Sequence, residues 1–178
     1  MSRIRIIGGE WRSRLIDVRT VKGLRPTPDR VRETLFNWLG QEMDGLRCLD
    51  LFAGSGALGF EAASRGAASV TMIEQDPVAL AALQANAKTL QATCVQVVRG
   101  DALNFARSTA QPFDVVFVDP PYRAGWIDRI APLLPKLLSD EGLVYVEAEY
   151  KIDNIDRLTR IKHGSAGQVY YHLFARAD

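Results

Sequence analysis

The ten residues Phe113–Tyr122, FDVVFVDPPY, join a strand-like run to a turn that could grip a planar base. The apolar run Val115–Val118 predicts a buried parallel strand, and open α/β sheets bind ligands at the carboxyl ends of such strands. The turn is stiff, because its two prolines fix their own φ and lack an N–H. The Asp119 carboxylate and the Pro120 carbonyl could accept both N–H bonds of an exocyclic amine while Tyr122 stacks on the ring. The structural alternative is an ordinary strand-ending turn with a capping aspartate and a surface tyrosine.

A second apolar strand, within CLDLFAGSGALG at residues 48–59, leads into a glycine-rich turn. Gly54, Gly56 and Gly59 satisfy G-x-G-x-x-G, and Glu74 lies twenty residues beyond Gly54, at the end of the next predicted strand. Glycines let the backbone turn tightly and approach a ligand, and the acid can hold ribose hydroxyls.

Taken alone, that glycine pattern is also the fingerprint of a nicotinamide-dinucleotide site. Asp50, four residues before Gly54, argues against it. A carboxylate there would repel a pyrophosphate but suits a cationic, phosphate-free adenosyl ligand such as S-adenosylmethionine. The residues therefore favour a methyl-donor site.

Hydrophobic periodicity places both motifs in an alternating series of strands and helices. Strands are predicted near residues 47–52, 69–74, 94–99, 113–118 and 142–148, and helices near 56–65, 77–91, 102–107 and 126–138. Such alternation specifies an α/β fold with a mostly parallel sheet and helices on both faces. Residues 157–163 and 168–175 predict two closing antiparallel strands joined by Gly164–Gly167, which would complete a seven-stranded sheet.

The amino-terminal residues predict a small hairpin followed by a helix. Residues 3–7 and 13–18 alternate apolar with polar side chains around Gly8-Gly9. Thr27 is the expected cap of a helix that begins at Pro28. The helix should bury a stripe formed by Val31, Leu35, Phe36, Trp38 and Leu39.

Composition predicts a compact soluble protein. The 178 residues fit one domain, and 47% hydrophobic content is ordinary for a globular chain. No apolar run approaches the roughly 20 residues that span a bilayer. Cys48 and Cys94 suggest reduced, buried thiols in a cytoplasmic protein. The two histidines lie far from either cysteine, so no metal site is predicted.

Positive charge is concentrated at the amino terminus. Residues 1–32 hold nine Arg or Lys against three acids, a net +6, whereas the remainder carries a net −5. Such a segment is typical of polyanion binding, and most of its cations are arginines, which fork onto phosphates. The predicted RNA-contacting residues are Arg3, Arg5, Trp11, Arg12, Arg14 and Arg30.

The motifs together resemble class I S-adenosylmethionine-dependent methyltransferases that modify amines. The resemblance rests on LDLFAGSGALGFEAASRGA, the acid ending the second strand, GDA at residues 100–102, and DPPY. With IRIIGGEWRSR, RPTPDRVRETLFNWL and a closing GQVYYHLF, the chain is similar to the RsmD family from about Ile4 to Phe174. Members of that family methylate the N2 amine of one guanine in bacterial 16S ribosomal RNA.

The resemblance implies a Rossmann-like class I methyltransferase fold and a role for each site residue. Asp119, Pro120, Pro121 and Tyr122 would form the catalytic motif. The donor site would comprise Asp50, Phe52, Ala53, Gly54, Ser55, Gly56, Gly59, Glu74, Gln75, Asp101, Ala102, Arg25, Pro26 and Thr27. Within it, Asp101 would accept from the adenine amine, Ala102 would supply a backbone N–H, and the segment at residues 25–27 would close over the donor.

The implied substrate is guanine 966 of 16S ribosomal RNA, within a partly assembled small subunit. Residues 1–24 would form a basic RNA-binding extension and residues 25–178 the methyltransferase domain of a cytoplasmic monomer. Two alternatives stay open. DPPY also serves DNA adenine-N6 and cytosine-N4 methyltransferases, although this chain has no separate target-reading domain. A nicotinamide oxidoreductase is supported by the glycine pattern alone.

Overall fold

A computed structural model describes residues 1–19 and 25–177 of the chain. The strands are β1 (Ser2–Arg5), β2 (Leu15–Val18), β3 (Arg47–Asp50), β4 (Ser69–Glu74), β5 (Val95–Arg99), β6 (Phe113–Val118), β7 (Leu138–Ala148), β8 (Leu158–Ala166) and β9 (Val169–Arg176). The helices are α1 (Asp29–Leu39), α2 (Ala57–Ser64), α3 (Pro77–Thr89), α4 (Ala102–Ser108), α5 (Trp126–Ile130) and α6 (Leu134–Leu137), with a 3-10 helix at Ala131–Leu133. Across these described ranges, no helix is both long enough and apolar enough to cross a membrane.

In the described residues, strands β3 to β9 form one sheet in the order β5-β4-β3-β6-β7-β9-β8. Neighbours from β5 through β7 are parallel, whereas β9 is antiparallel to both β7 and β8. The chain moves outward from β3 to β5 and then returns to β6, directly beside β3. The carboxyl ends of β3 and β6 therefore flank the switch point at which such sheets bind ligands.

The interiors of the central strands are apolar because both faces of the sheet are covered. Cys48 of β3 joins one apolar layer and its neighbour Leu49 joins the other. On β6, Phe117 and Val118 divide in the same way, and both are fully buried. A strand covered on two sides has no solvated face for polar residues, which explains the continuous hydrophobic runs.

Several predicted element boundaries differ from the structure. The predicted helix 126–138 is divided into α5, the 3-10 helix and α6, because Pro132 and Pro135 lack the N–H that a continuous helix needs. Strand β7 begins at Leu138 rather than near residue 142. The first closing strand, β8, extends three residues beyond its predicted end, so the turn to β9 lies at Gly167-Gln168, where Gly167 has a φ of +61°.

Helix α1 begins without the predicted threonine cap. Its N-cap residue is Pro28, with no side-chain cap, and the Thr27 hydroxyl instead donates to Oδ2 of Asp119 at 3.2 Å. The predicted stripe is otherwise present: Val31, Leu35 and Phe36 are buried, and Trp38 and Leu39 are partly buried. Thr27 thus serves the site that follows β6 rather than the helix.

The amino-terminal hairpin is docked onto the main sheet domain. β1 and β2 pair antiparallel, as predicted, from Ser2↔Val18 to Arg5↔Leu15. Asn86 of α3 accepts from the Asp17 N–H (3.1 Å) and donates to the Asp17 carbonyl (2.8 Å). The inward side chains of the hairpin join one core layer of the sheet: Ile4, Ile6, Trp11, Ile16 and Val18. The predicted domain boundary after residue 24 and the cation Lys22 lie outside the described residues.

A buried carboxylate of α2 ties the hairpin and α1 to the domain. Glu61 is fully buried and accepts from the N–H groups of Ile7 (2.9 Å) and Gly8 (3.0 Å). It also accepts from the guanidinium groups of Arg32 and Arg65, each at 3.2 Å. Arg32 is therefore an internal cation, 1% exposed, although it contributes to the basic amino-terminal count. Removing one partner would leave a buried charge uncompensated.

The two cysteines differ in burial, although both are free thiols. Cys48 is fully buried, and burial raises its pKa to about 12. Cys94 is only half-buried and lies just before β5. The prediction of a buried thiol is therefore confirmed for Cys48 alone.

Candidate active site

Asp50 ends β3 as a buried carboxylate that lines a cavity. Its side chain is 1% exposed, and Oδ2 accepts from the Gly59 N–H at 3.2 Å. Oδ1 is buried and has no hydrogen-bond partner among the described residues. Burial raises the pKa of Asp50 to about 7, and the nearby Glu74 charge adds to the shift. A cation entering the cavity would stabilise the ionised form and satisfy Oδ1.

The three glycines of the turn have different tasks. Gly54, with a φ of +53°, lines the cavity. Gly56 has a φ of +83°, and a Cβ there would lie 2.6 Å from a Phe60 ring carbon. A Cβ at Gly59 would lie 2.3 Å from Cε of Met72. Gly56 and Gly59 do not line the cavity, so the structure assigns them to the turn and to close packing rather than to the predicted donor contact.

Glu74 fastens the glycine turn to the end of β4. Its Oε1 accepts from the Gly54 N–H at 2.9 Å, and Oε2 accepts from the N–H groups of Gln75 and Asp76, each at 3.0 Å. A carboxylate offers about four acceptor sites, so it retains acceptor capacity towards the cavity that it lines. Its replacement by Ala would release three backbone donors as well as any ligand contact.

Asp101 caps helix α4, a role that the sequence analysis did not assign to it. Its Oδ1 accepts from the Asn104 N–H at 3.0 Å, at the start of α4. The flanking residues Gly100 and Ala102 line the cavity, but Asp101 does not. Aspartate is a preferred N-cap residue because its oxygen pairs with an otherwise unsatisfied N–H. The predicted contact of Asp101 with an adenine amine stays a prediction, whereas Gly100 and Ala102 on either side border the cavity.

A cavity of about 480 Å³ lies at the switch point and joins the two sequence motifs. Its size is within the range of small-molecule sites, about 300–1,000 Å³. The predicted residues that line it are Arg25, Pro26, Thr27, Asp50, Phe52, Ala53, Gly54, Ser55, Glu74, Gln75, Ala102, Asp119, Pro120, Pro121 and Tyr122. Trp126 and Glu147, which the sequence did not single out, line it too.

Asp119 follows β6 and has a polar neighbour on each of two sides. Thr27 donates to its Oδ2, and Glu147 is its neighbour at the end of the adjacent strand β7. Burial and the adjacent Glu147 charge hold the pKa of Asp119 well above the ordinary aspartate value. The following Pro120 is buried, whereas Pro121 is exposed. This arrangement presents a carboxyl group that can accept a hydrogen bond or a proton at the edge of the cavity.

Glu147, near the end of β7, is a site residue that sequence reasoning missed. Val118 pairs with Val146 in parallel register, so the next residues, Asp119 and Glu147, are neighbours. Glu147 is 4% exposed, and the Tyr145 hydroxyl donates to its Oε1 at 3.0 Å. An acid at the carboxyl end of an apolar strand was the available signal. It was the same signal that identified Asp119.

Aromatic rings form the walls of the cavity. The Phe52 and Trp126 rings meet edge to face at 5.3 Å, and the Arg129 guanidinium lies 4.1 Å from the Trp126 ring centroid. The Arg25 guanidinium lies 3.9 Å from the centroid of Tyr122. A base could stack on that face of Tyr122 only after Arg25 moves aside.

The predicted RNA-contacting arginines lie at the surface, but Trp11 does not. Trp11 is 7% exposed and packs in the core layer, so its ring cannot meet RNA in this conformation. The arginines that remain exposed are Arg3, Arg5, Arg12, Arg14 and Arg30. Arg3 pairs with Asp17 at 3.2 Å, and Arg14 donates to the Thr89 carbonyl at 3.3 Å.

Comparison with known proteins identifies the family. A family model described as Conserved hypothetical protein 95 matches residues 4–175. Ribosomal RNA small subunit methyltransferase D of Escherichia coli strain K12 is 46% identical over 179 positions, covering 98% of this chain and 90% of that protein. The chain belongs to this methyltransferase family. The Haemophilus influenzae member is 42% identical, with 96% of this chain and 93% of that protein covered.

Solved structures agree with this assignment. The Escherichia coli protein yhhF matches with a TM-score of 0.90 and 46% identity, covering 98% of each chain. An RNA methyltransferase from Salinibacter ruber, solved with S-adenosyl-L-homocysteine, matches with a TM-score of 0.70 at 20% identity and so supports the fold alone. The predicted class I methyltransferase fold and family are both confirmed.

Proposed function

We propose that this member of the family transfers a methyl group from S-adenosylmethionine to the N2 amine of one guanine in 16S ribosomal RNA. The observation that carries the proposal is a single cavity lined by both Asp50 and Asp119, an acid suited to a cationic donor and an acid suited to an amine. The ribosomal RNA of the small subunit is named for the family's curated relatives. The N2 position and guanine 966 are carried over from the motif resemblance.

The donor fits the residues at one end of the cavity. S-adenosylmethionine carries positive charge and no phosphate, and Asp50 offers it a buried oxygen that has no partner among the described residues. Gly54 leaves the backbone accessible, and Glu74 keeps acceptor capacity for ribose hydroxyls. When bound, the donor supplies an electrophilic methyl group. These residues orient it.

Residues at the other end are suited to an amine. Asp119 and the Pro120 carbonyl would accept its two N–H bonds, which localises a lone pair that is otherwise delocalised into the ring. Thr27 holds Asp119 in place. Orientation of this kind can supply part of the roughly 7–11 kcal/mol available from positioning. The amine releases one proton after it gains the methyl group, and Asp119, whose pKa is raised, is the nearest acceptor.

The exposed arginines of the hairpin supply the RNA contact in this proposal. Arg12 and Arg14 are exposed beside the turn of the hairpin, where they can meet phosphates. A target guanine must leave its stack to reach the cavity, which is easiest in a loop or bulge. The proposed substrate is therefore 16S RNA folded with ribosomal proteins in a partly assembled small subunit, in the cytoplasm, and the enzyme acts as a monomer.

Methyl incorporation from labelled donor tests the function directly. Three substrates would be compared: 16S RNA within an assembling small subunit, naked 16S RNA and duplex DNA. We expect the protein-bound RNA to be best and duplex DNA to be inert, with mass mapping placing one methyl group on N2 of guanine. Efficient methylation of duplex DNA, with none of ribosomal RNA in any form, would favour a DNA amino-methyltransferase instead.

A further inference from the structure

Two carboxyl groups lie side by side at the end of the cavity that is suited to the target amine. The parallel register of β6 and β7 places Asp119 next to Glu147, and both side chains line the cavity. Within residues 1–19 and 25–177, neither carboxyl group forms an ion pair. Adjacent carboxyl groups repel each other when both are ionised, which favours protonation of one of them in the free protein. A ligand that donates hydrogen bonds to both groups would favour the ionised pair.

Each carboxyl group is oriented by one hydroxyl. Tyr145 donates to Oε1 of Glu147 at 3.0 Å, and Thr27 donates to Oδ2 of Asp119 at 3.2 Å. One oxygen of each acid is thereby engaged, and the second oxygen has acceptor capacity for a ligand. The pair therefore offers two adjacent acceptors at the rim where the target base would enter.

A base with two adjacent donors fits this pair. On its Watson–Crick edge, guanine carries a ring N1–H beside the N2 amine. In adenine and cytosine, by contrast, the ring nitrogen next to the amine has no hydrogen and is a hydrogen-bond acceptor. An accepting nitrogen placed against a carboxylate is repelled, whereas an N–H forms a charge-assisted hydrogen bond.

We propose that Glu147 accepts the N1–H of the target guanine while Asp119 holds the N2 amine, an inference that rests on the proposed function. Glu147 is then the residue that selects guanine over bases with an accepting ring nitrogen. Tyr145 is a positioning residue, since it fixes the Glu147 carboxylate without lining the cavity.

A base analogue removes the N1–H while it keeps the 2-amino group. The target guanine of 16S RNA, once located by mass mapping, would be replaced by 2,6-diaminopurine through splinted ligation. This analogue keeps the 2-amino group but has an accepting N1, and a 6-amino group replaces O6; the Glu147→Gln variant distinguishes the two changes. Wild-type protein should prefer guanine by about tenfold to hundredfold in kcat/KM, the range expected for one charge-assisted hydrogen bond.

The variant Glu147→Gln should reverse or remove that preference. Its amide oxygen can still accept from Tyr145, while its NH2 group would oppose the guanine N1–H and complement the accepting N1 of the analogue. Donor affinity, measured by calorimetry, should stay unchanged and shows that the variant is folded. Glu141→Gln is the matched control, because Glu141 lies on the same strand but is exposed.

The outcomes separate the two proposals. If the Glu147→Gln variant binds the donor normally and keeps the wild-type preference for guanine over 2,6-diaminopurine, the proposed role of Glu147 is wrong. Equal use of guanine and 2,6-diaminopurine by the wild-type protein would also overturn it, while the proposed function stands. Absence of guanine methylation in every form of ribosomal RNA would overturn the function itself.

Discussion

Burial raises the pKa of both Asp50 and Asp119, but the two carboxyl groups face different ends of the cavity. Asp50 faces the end of the cavity suited to a cation, and its Oδ1 lacks a partner among the described residues. Asp119 accepts from Thr27 and is a neighbour of Glu147 at the end suited to N–H donors. A ligand should therefore lower the pKa of Asp50 through its charge and engage Asp119 through hydrogen bonds.

Donor affinity should depend on pH through Asp50. Ionised Asp50 stabilises the cationic donor, and its pKa is about 7 in the free protein. Protonation at lower pH competes with binding, so the dissociation constant should rise roughly tenfold between pH 7.5 and pH 6. Calorimetric titration at both pH values measures this. Asp50→Asn should bind weakly with little pH dependence, and an equally flat profile in the wild-type protein would contradict the placement.

Charge at Asp119 should matter for methyl transfer and not for donor binding. Asp119→Asn keeps the size of the side chain but offers a weaker acceptor and a competing NH2 group. We expect kcat to fall by about tenfold to hundredfold, the equivalent of one charge-assisted hydrogen bond. Single-turnover methyl incorporation is the measurement, and Asp140→Asn at an exposed position is the control. Near wild-type turnover in Asp119→Asn would rule out a role for this charge.

The amino-terminal hairpin has an inner face that holds it and an outer face that carries charge. Ile16 and Trp11 are buried against the domain, and Glu61 binds the backbone at Ile7 and Gly8. Its exposed arginines are thereby held on a fixed scaffold rather than on a loose tail. Substitutions at these exposed positions should change RNA binding without unfolding the domain.

Replacing Arg12 and Arg14 by Ala should weaken RNA binding and flatten its salt dependence. Each lost phosphate contact should reduce the slope of log K against log salt by roughly 0.7–0.9. Filter binding of 16S RNA across a salt series measures the slope, and donor titration should be unchanged. Arg107→Ala with Lys162→Ala, both exposed and outside the hairpin, is the matched control. An identical slope in both double variants would exclude the hairpin from the interface.

At the scale of elements, prediction succeeded where the pattern was local. The strand–helix alternation and the hairpin follow from hydrophobic periodicity, and all seven predicted strands of the main sheet are present in the described residues. Thr27 was misassigned as a cap and Glu147 was missed, because each role depends on which groups a distant segment brings within reach. Thr27 has the sequence context of a helix cap, but its hydroxyl donates to Asp119, which follows β6.

The whole molecule contains one buried histidine whose neutral form the fold requires. His172 of β9 is fully buried, and its Nε2 accepts from the Ile152 N–H at 2.9 Å. Its Nδ1 lies 3.0 Å from the Val146 carbonyl, so the neutral ring carries its proton there. Protonation of Nε2 would break the bond to Ile152. Burial lowers the pKa of His172 below the ordinary value of 6.5.

Acid should destabilise the fold through His172. The unfolded chain takes up this proton at a higher pH than the folded chain, so stability is present above pH 6.5 and is lost as pH falls below it. The loss should reach at most about 1.4 kcal/mol per pH unit. Urea unfolding at pH 7.5 and 5.5 would measure it. The raised pKa of Asp50 acts in the opposite direction over this range, so the His172 contribution is the difference in pH dependence between the wild-type protein and His172→Gln. The same comparison with His163→Gln, where the side chain is exposed, should show no such difference.

The placement of Trp126 gives the protein an optical property. Of the three tryptophans in the chain, Trp11 is in the core, Trp38 is partly buried beside Tyr171, and Trp126 lines the cavity against Phe52. Indole emission responds to the polarity and charge around the ring. A ligand that enters the cavity should therefore change the fluorescence of Trp126 while the other two emit as before. Trp126→Phe should abolish that change, which makes intrinsic fluorescence a label-free reading of cavity occupancy.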